Sequence, residues 1–242
     1  AYYRHYQIPP ERFFRGSCPV DVARFQRKVE ALSSSDRTEL QNRFGLDPQL
    51  FTVVFSGKLI ERKRPFDLVE AIAVLHKSGV DVQCLFIGDG PLKGSVEQRI
   101  RELGLTQQIK LAGFVNQEAI PAVLSLGNAL CVCSDEDPHP LVVTEAMSIG
   151  LAIVGSDRIG CIGPTDSAQP GVNTLVYRCG NPRDLADKIG QLAKSPAMLL
   201  QFQKESTRLA LTQGVDVCAK AIFRSLGLEE SEGAARISAN RR

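Results

Sequence analysis

Asp137 and Glu145 stand eight positions apart, and the residues between them change character from loop to helix. The stretch opens with an apolar run, Ala129 to Cys133, whose length and branched and sulfur side chains fit a buried strand. An acidic, proline-punctuated turn follows from Ser134 to Pro140. Leu141, Val142 and Val143 then lead into Glu145-Ala-Met, and Gly150 stops the element as a helix C-cap does. One carboxylate is thus expected in a loop and the other inside a helix, both able to face a ligand at the helix mouth. In open parallel α/β sheets, ligands sit outside the carboxyl ends of the strands. A helix N-terminus there offers free backbone N–H groups to a phosphate.

A second cluster supplies the opposite charge. Ser56-Gly57-Lys58-Leu-Ile-Glu61-Arg62-Lys63-Arg64-Pro65 holds four cations and the single acid Glu61. A glycine at a strand end lets a ligand approach the backbone, and ammonium and guanidinium groups suit phosphate oxygens. A lone basic turn is more simply a solvated surface, but this one follows an expected strand. Gly88-Asp89-Gly90-Pro91 is another glycine turn at a strand end, read equally well as a tight strand-to-helix connection. Neither turn is a Gly-x-Gly-x-x-Gly at the first strand, so no nicotinamide or flavin cofactor is indicated. Of the three histidines, His76 reads as a helix-end charge, and His139 lies in the candidate loop without a Gly-x-Ser-x-Gly nucleophile to serve.

The elements that must hold these groups alternate. Strands are expected at Phe51 to Ser56, Val82 to Ile87, Ile109 to Phe114, Ala129 to Cys133, Leu151 to Gly155 and Asn173 to Tyr177. Between them come helices from Pro65 to the cap at Gly79, around Val96, Ile100 and Leu103 to Gly104, from Gln117 to Leu126, and up to Ile149. Asp184 to Leu192, Ala197 to Leu211 and Val215 to Leu226 are amphipathic. At the front, Phe13 to Val20 reads as an extended piece that needs a distant partner, followed by helices at Val22 to Leu32 and Arg37 to Phe44, with a break at Ser33 to Asp36 that holds an N-cap candidate. The alternation implies an α/β fold: a Rossmann-like, doubly wound parallel sheet with helices on both faces and right-handed crossovers.

Composition narrows the class further. The 29 basic and 27 acidic residues leave a formal charge of +2, too little to argue for nucleic acid or an anionic membrane. Seven cysteines, an odd number without CxxC pairs, point to a reducing, cytoplasmic compartment rather than zinc or disulfides, with Cys131 and Cys133 as core residues. No apolar run approaches the roughly 18 residues of a membrane span, and no signal-peptide pattern opens the chain. The first residue is not Met, so a processed chain or a fragment is expected.

Five motifs in one order carry a resemblance: Gly57-Lys58-Leu59 with Lys63, Gly88-Asp89-Gly90-Pro91, Gly113-Phe114-Val115, Asp137-x7-Glu145, and Glu145-Ala-Met-Ser-Ile-Gly150. Over about residues 13 to 195 the chain resembles the nucleotide-sugar-binding half of a GT-B glycosyltransferase of the retaining group called family 4. The resemblance implies a donor site with no cofactor and no metal, whose substrate is a nucleotide diphosphate sugar, UDP- or GDP-linked. It implies that Lys58 and Lys63 hold the donor diphosphate beside Gly57, and that Asp137 binds hydroxyls of the transferred sugar. It places Glu145 on the ribose and Phe114 and Val115 near the base. Backbone N–H groups of the His139, Leu141 and Val142 region would meet sugar and phosphate oxygens, and Gly160 to Gly163 would line the same cleft. Two residues depart from the pattern. Lys58 stands where Arg is usual and loses the bidentate fork. Asp137 stands where Glu is usual, so either it still reaches the sugar or Glu136 does so from one position earlier.

The same resemblance implies an incomplete enzyme. Residues 1–34 would be the hinge and a remnant of an acceptor domain, 35–228 the donor-binding domain, and 229–242 a polar, frayed tail. The absent acceptor domain would pack near residues 1–20, against Tyr2, Tyr3, Phe13 and Phe14, and the intact enzyme could sit peripherally at a membrane. Other readings are a donor-binding subunit with a separate acceptor subunit, a non-catalytic nucleotide-binding module, and a nucleotide-sugar epimerase. A metal-dependent GT-A transferase would use Asp135-Glu136-Asp137 on a divalent cation.

Overall fold

A computed structural model describes residues 5–9, 12–14 and 18–228. Tyr2, Tyr3 and the tail 229–242 lie outside the described residues. Six strands form one sheet: β1 Phe51–Ser56, β2 Val82–Ile87, β3 Ile109–Gly113, β4 Ala129–Val132, β5 Ala152–Ser156 and β6 Thr174–Tyr177. Every pairing is parallel, in the order β3-β2-β1-β4-β5-β6. The helices are α1 Val22–Glu30, α2 Ser34–Phe44, α3 Pro65–Lys77, α4 Lys93–Glu102, α5 Ile120–Leu124, α6 Leu141–Ser148, α7 Pro182–Lys194, α8 Pro196–Ala210 and α9 Val215–Ser225.

Side-chain alternation along each strand divides the core in two. Val53, Phe55, Cys84, Phe86, Cys131 and Cys133 pack with Leu68 and Ile72 of α3, Val96 and Ile100 of α4 and Leu185 and Ile189 of α7. Val54, Leu85, Ile87, Leu130 and Val132 pack on the other face with Phe25 of α1, Val123 of α5 and Val143, Ala146 and Met147 of α6. Burial on both faces explains why the strands read as continuous apolar runs rather than polar-apolar alternation. The expected doubly wound parallel sheet is thus present, and the two strand cysteines are core residues.

Chain order turns the sheet outward in both directions from β1 and β4. These strands are neighbours although β2 and β3 come between them in sequence. The crevice at such a reversal, at the strands' carboxyl ends, is where ligands bind in this architecture.

Some boundaries differ from the sequence reading. The helix expected from Gln117 to Leu126 is only the five residues of α5. Pro121 has no N–H to give, and the Asn116 carboxamide instead accepts from Ala119 N at 2.9 Å, so the segment before Ile120 is a turn. β3 stops at Gly113, one residue before Phe114. α2 starts at Ser34 rather than Arg37, because Ser33 and Asp36 form a reciprocal capping box. Of the expected extended piece, residues 15–17 lie outside the described residues. Val20 meets only a single parallel bridge, to Gly214. Among the described residues no helix is long and apolar enough to cross a membrane.

Candidate donor site at the β1–β4 crevice

The turn after β1 is held by its neighbour, not by its own side chains. Leu59 is fully buried. Its N–H donates to Asp89 O at 3.0 Å and its carbonyl accepts from Leu92 N at 3.0 Å, while Gly57 N donates to Ile87 O at 2.9 Å. The two glycine turns therefore mesh. A Cβ at Gly88 would lie 1.9 Å from the Gly57 carbonyl oxygen, and one at Gly90 would lie 2.5 Å from the Leu59 carbonyl oxygen. Only glycine permits this approach, and Gly88 also sits at φ 135°. Gly88-Asp89-Gly90-Pro91 is thus a close-packing device as well as a cavity wall.

The four cations of the basic turn do not act alike. Arg64 occupies the left-handed region (φ 47°, ψ 51°) at the start of α3, with Pro65 at the first helical position. Its guanidinium donates to both oxygens of Asp67, each at 2.9 Å. Asp67 is buried and also accepts from Gly180 N at 3.0 Å. The bidentate pair pushes the Arg64 guanidinium even further above its usual value. Arg64 is therefore a structural clamp, its guanidinium committed to Asp67. Arg62 is tied too, donating to Glu136 O at 2.9 Å, and its carbonyl accepts from Asp135 N at 3.0 Å. Lys58 and Lys63 remain. Lys58 is exposed and forms no ion pair among the described residues. Lys63 is half-buried and its ammonium pairs with the Asp137 carboxylate across the β1–β4 boundary.

Asp137 is buried, and its backbone is fastened as firmly as its side chain. Its carbonyl accepts from Gly160 N at 2.8 Å, and it forms a parallel bridge with Ile159. The loop 157–163 thereby clamps the loop before α6. α6 begins at Leu141 after Pro140, and no side chain caps that end. Leu141 is exposed and Val142 half-buried there. One turn further on, Glu145 is half-buried, and burial raises its pKa above the ordinary glutamate value while Arg24 of α1 opposes the rise.

Gly57, Lys58, Gly88, Phe114, Val115 and Gln117 line a cavity of about 630 Å³ at the carboxyl ends of β1 to β3. Phe114 stands 79% exposed on its rim, because β3 ends one residue earlier. His139 lies elsewhere: it lines a separate cavity of about 660 Å³ with Asp166, Gln169, Leu209 and Gln213. Its expected role beside Leu141 and Val142 concerned the backbone N–H groups of that region, and the residue also borders this second cavity. Arg24 and Gln117 were not singled out by sequence. Neither sits in a recognisable motif, and only the packing of α1 brings them here.

A doubly wound parallel sheet with phosphate-suited cations and buried carboxylates at its topological switch defines a Rossmann-like ligand-binding unit. Solved GT-B glycosyltransferases share that fold. Anabaena Alr3699/HepE in complex with UDP-glucose aligns with a TM-score of 0.73 at 21% identity, covering 86% of this chain and 56% of that one. The C-terminal domain of the glycosyl transferase group 1 family protein LpcC from Francisella tularensis aligns with a TM-score of 0.66 at 19% identity, covering 81% of this chain and 99% of that one. Residues 36–209 match the family Glycosyl transferases group 1, and the chain belongs to it. Curated relatives include the alpha-D-kanosaminyltransferase of Streptomyces kanamyceticus, 28% identical over 230 residues, or 93% of this chain and 57% of the relative. The 2-deoxystreptamine glucosyltransferase of the same organism is 32% identical over 162 residues, or 66% of this chain and 41% of the relative. The chain thus spans about half the length of the curated relatives it matches.

Proposed function

We propose that the chain is the C-terminal, donor-binding domain of a retaining, family 4 glycosyltransferase, with the donor domain at residues 35–228 and the hinge at 1–34. The intact enzyme would transfer a hexose from a UDP- or GDP-linked donor to a hydroxyl acceptor with retention of anomeric configuration. The observation that carries this reading is the Lys63–Asp137 pair, which joins the turn after β1 to the loop after β4 at the switch point. A diphosphate beside Lys58, Lys63 and the uncapped N-terminus of α6 places its attached sugar next to Asp137.

The chemistry follows from charge. As the glycosidic bond breaks, negative charge grows on the departing diphosphate, and cations already in place stabilise it without reorganisation. Lys58 and Lys63 supply that stabilisation. N–H groups at Leu141 and Val142 add the helix-terminus contribution. Glu145 accepts from ribose hydroxyls, Asp137 orients sugar hydroxyls, and Phe114 and Val115 border the base in the 630 Å³ cavity. The metal-dependent reading of Asp135-Glu136-Asp137 fits the geometry less well. The Asp137 carboxylate already carries the Lys63 ammonium, and the Asp135 backbone is turned to Arg62.

An acceptor half is part of this reading, and exposed apolar residues support it. Ile8, Phe13 and Phe14 at the front, and Ile222 and Leu226 of α9, are all exposed large hydrophobics. The agreement in extent with the LpcC C-terminal domain points the same way. An acceptor half supplied as a separate subunit would cover the same surface.

Calorimetric titration of the purified chain with UDP, GDP, ADP and their glucose conjugates, with and without Mn²⁺, tests the proposal. Metal-independent binding that Glu145→Ala weakens at least tenfold is expected. Binding that requires Mn²⁺ and is lost in Asp135→Ala would replace it with the metal-dependent scheme. A folded chain that binds none of these ligands would reject the donor-site reading.

A further inference from the structure

The Lys63–Asp137 pair stands where a diphosphate and its sugar would meet, and the backbones that carry it are fixed. Lys63 closes the short helical turn Glu61–Lys63, its N–H donating to Ile60 O at 3.0 Å, just before the Arg64–Asp67 clamp. The Asp137 carbonyl accepts from Gly160 N at 2.8 Å, and a Cβ at Gly160 would lie 2.2 Å from the Pro138 carbonyl oxygen. The two loops therefore interlock and hold the carboxylate against the ammonium. Both side chains are largely withdrawn from solvent, at 18% and 11% exposure. Lys63 reaches Asp137 Oδ2, and among the described residues the other carboxylate oxygen takes no hydrogen bond. The neighbouring acids Asp135 and Glu136 are exposed instead, and the Arg62 guanidinium is engaged by Glu136 O. Of the acids in this loop, Asp137 is the one that acts with little solvent screening.

We propose that the Asp137 carboxylate makes this site select the intact nucleotide sugar over the bare nucleoside diphosphate, and so speeds release of the spent nucleotide. The proposal rests on the reading of this crevice as the donor site. Two consequences of one buried charge act in the same direction. A sugar joined to the diphosphate offers hydroxyl donors to the open carboxylate oxygen, which offsets its burial. A bare diphosphate offers none. Its terminal phosphate also has a second ionisation that the glycosyl ester lacks, so more negative charge arrives beside a carboxylate. Lys63 has three N–H donors and can hold Asp137 and a phosphate oxygen together, so the pair need not part to admit the donor. Its attraction for phosphate is nevertheless reduced by the carboxylate it already carries. When the sugar passes to the acceptor oxygen, the glycosidic electron pair stays on the diphosphate and the acceptor's hydroxyl proton passes to solvent. The product has then lost the hydroxyls and gained the charge, and Asp137 opposes it as it did not oppose the donor.

The test titrates UDP and UDP-glucose by calorimetry into the parent chain, Asp137→Asn, Asp137→Ser and Asp137→Glu, with a thermal melt of each to show that it is folded. Asparagine keeps the shape and an acceptor for Lys63 but not the charge. Asp137→Asn should tighten UDP about tenfold and weaken UDP-glucose, so that the ratio of the two dissociation constants moves by more than about tenfold. Asp137→Ser should move the ratio the same way, and it carries the test if the amide does not fold. Asp137→Glu retains the charge and should keep the parent ratio. UDP affinity unchanged or reduced in the neutral variants would overturn the proposal. So would an equal loss of both ligands, the mark of a structural role, or a ratio in Asp137→Glu that matches Asp137→Asn. In each of these cases the donor-site reading stands. A folded parent that binds neither UDP nor UDP-glucose, nor GDP and GDP-glucose, removes the donor-site reading itself, and the proposal falls with it.

Discussion

The two ends of the sheet both carry sizeable cavities, and they are built differently. At the amino ends a cavity of about 560 Å³ is lined by Arg37, Asp47, Thr52, Asn128 and Gln203 among others. Its polar groups are bonded to one another and to the backbone. Asn128 Oδ1 accepts from Thr52 N at 2.7 Å, and Gln83 bonds Asp47 N, Asp47 O and Thr52 Oγ1 at 3.0, 2.7 and 2.8 Å. Arg37 donates to Ser125 O at 2.8 Å. At the carboxyl ends Lys58 stands exposed, Phe114 projects, and α6 begins without a side-chain cap. Cavity volume therefore does not distinguish the ends. What distinguishes them is that the carboxyl ends leave one cation, Lys58, and the first turn of α6 facing solvent beside the bonded Lys63–Asp137 pair.

The strongest way to break the carboxyl end is Gly88→Ala. Its Cβ would meet the Gly57 oxygen at 1.9 Å, and both glycine turns must part. A loss of more than about 3 kcal/mol in urea unfolding is expected, combining steric overlap with a disfavoured φ. Asp67→Ala comes next, removing the partner of Arg64 and the acceptor for Gly180 N, with about 2 to 3 kcal/mol lost in the same measurement. Nucleotide affinity should fall too, because Lys63 precedes the clamped Arg64.

Lys63→Ala acts on both binding and stability, since it also leaves the buried Asp137 carboxylate without its ammonium partner. Calorimetry with UDP-glucose should show affinity reduced about tenfold to a hundredfold, the size of a hydrogen bond to a charged group. At the amino end, Gln83→Leu should cost about 1 to 2 kcal/mol of stability through its lost bonds, with UDP affinity unchanged. Equal affinity losses from Gln83→Leu and Lys63→Ala would erase the contrast between the ends.

The smallest expected effect concerns pH. The folded-state pKa of Glu145 is raised by burial, so its contribution to stability is fully present below the ordinary glutamate value. That contribution is lost as pH rises through the folded value, because the unfolded chain then sheds its proton first. Glu145→Gln should accordingly unfold less readily than the parent at neutral pH, and the difference should vanish in acid. A melting-temperature series across pH reads this directly. The same substitution should weaken nucleotide binding, the opposite direction from its effect on stability.

Much of this was legible in the chain as written. The strands at 51–56 and 82–87 fall where the apolar runs do, because burial on both faces demands such runs. Gly45 stops α2 where the sequence placed its end, and the start lies within the expected Ser33 to Asp36 break, at the Ser33 cap, because caps need only neighbouring residues. The overlong helix over Gln117 to Leu126 shows the limit of that logic. Periodicity counted apolar spacing, but Asn116 and Pro121 decided where helical hydrogen bonds could begin. In the same way, composition grouped Arg62, Lys63 and Arg64 together, whereas each found a different partner once folded.

The chain's sequence by itself determined the alternation of strands and helices, the turns that end each strand, and the residue types gathered at those turns. These depend on interactions within a few residues. Only the tertiary structure decided which partner each cation takes. Lys63 meets Asp137, 74 positions away, because β1 and β4 are neighbours in the sheet. Arg24 reaches Gln117, 93 positions away, because α1 packs across α6. Contacts of that separation follow from strand order and layer packing, which no local pattern encodes.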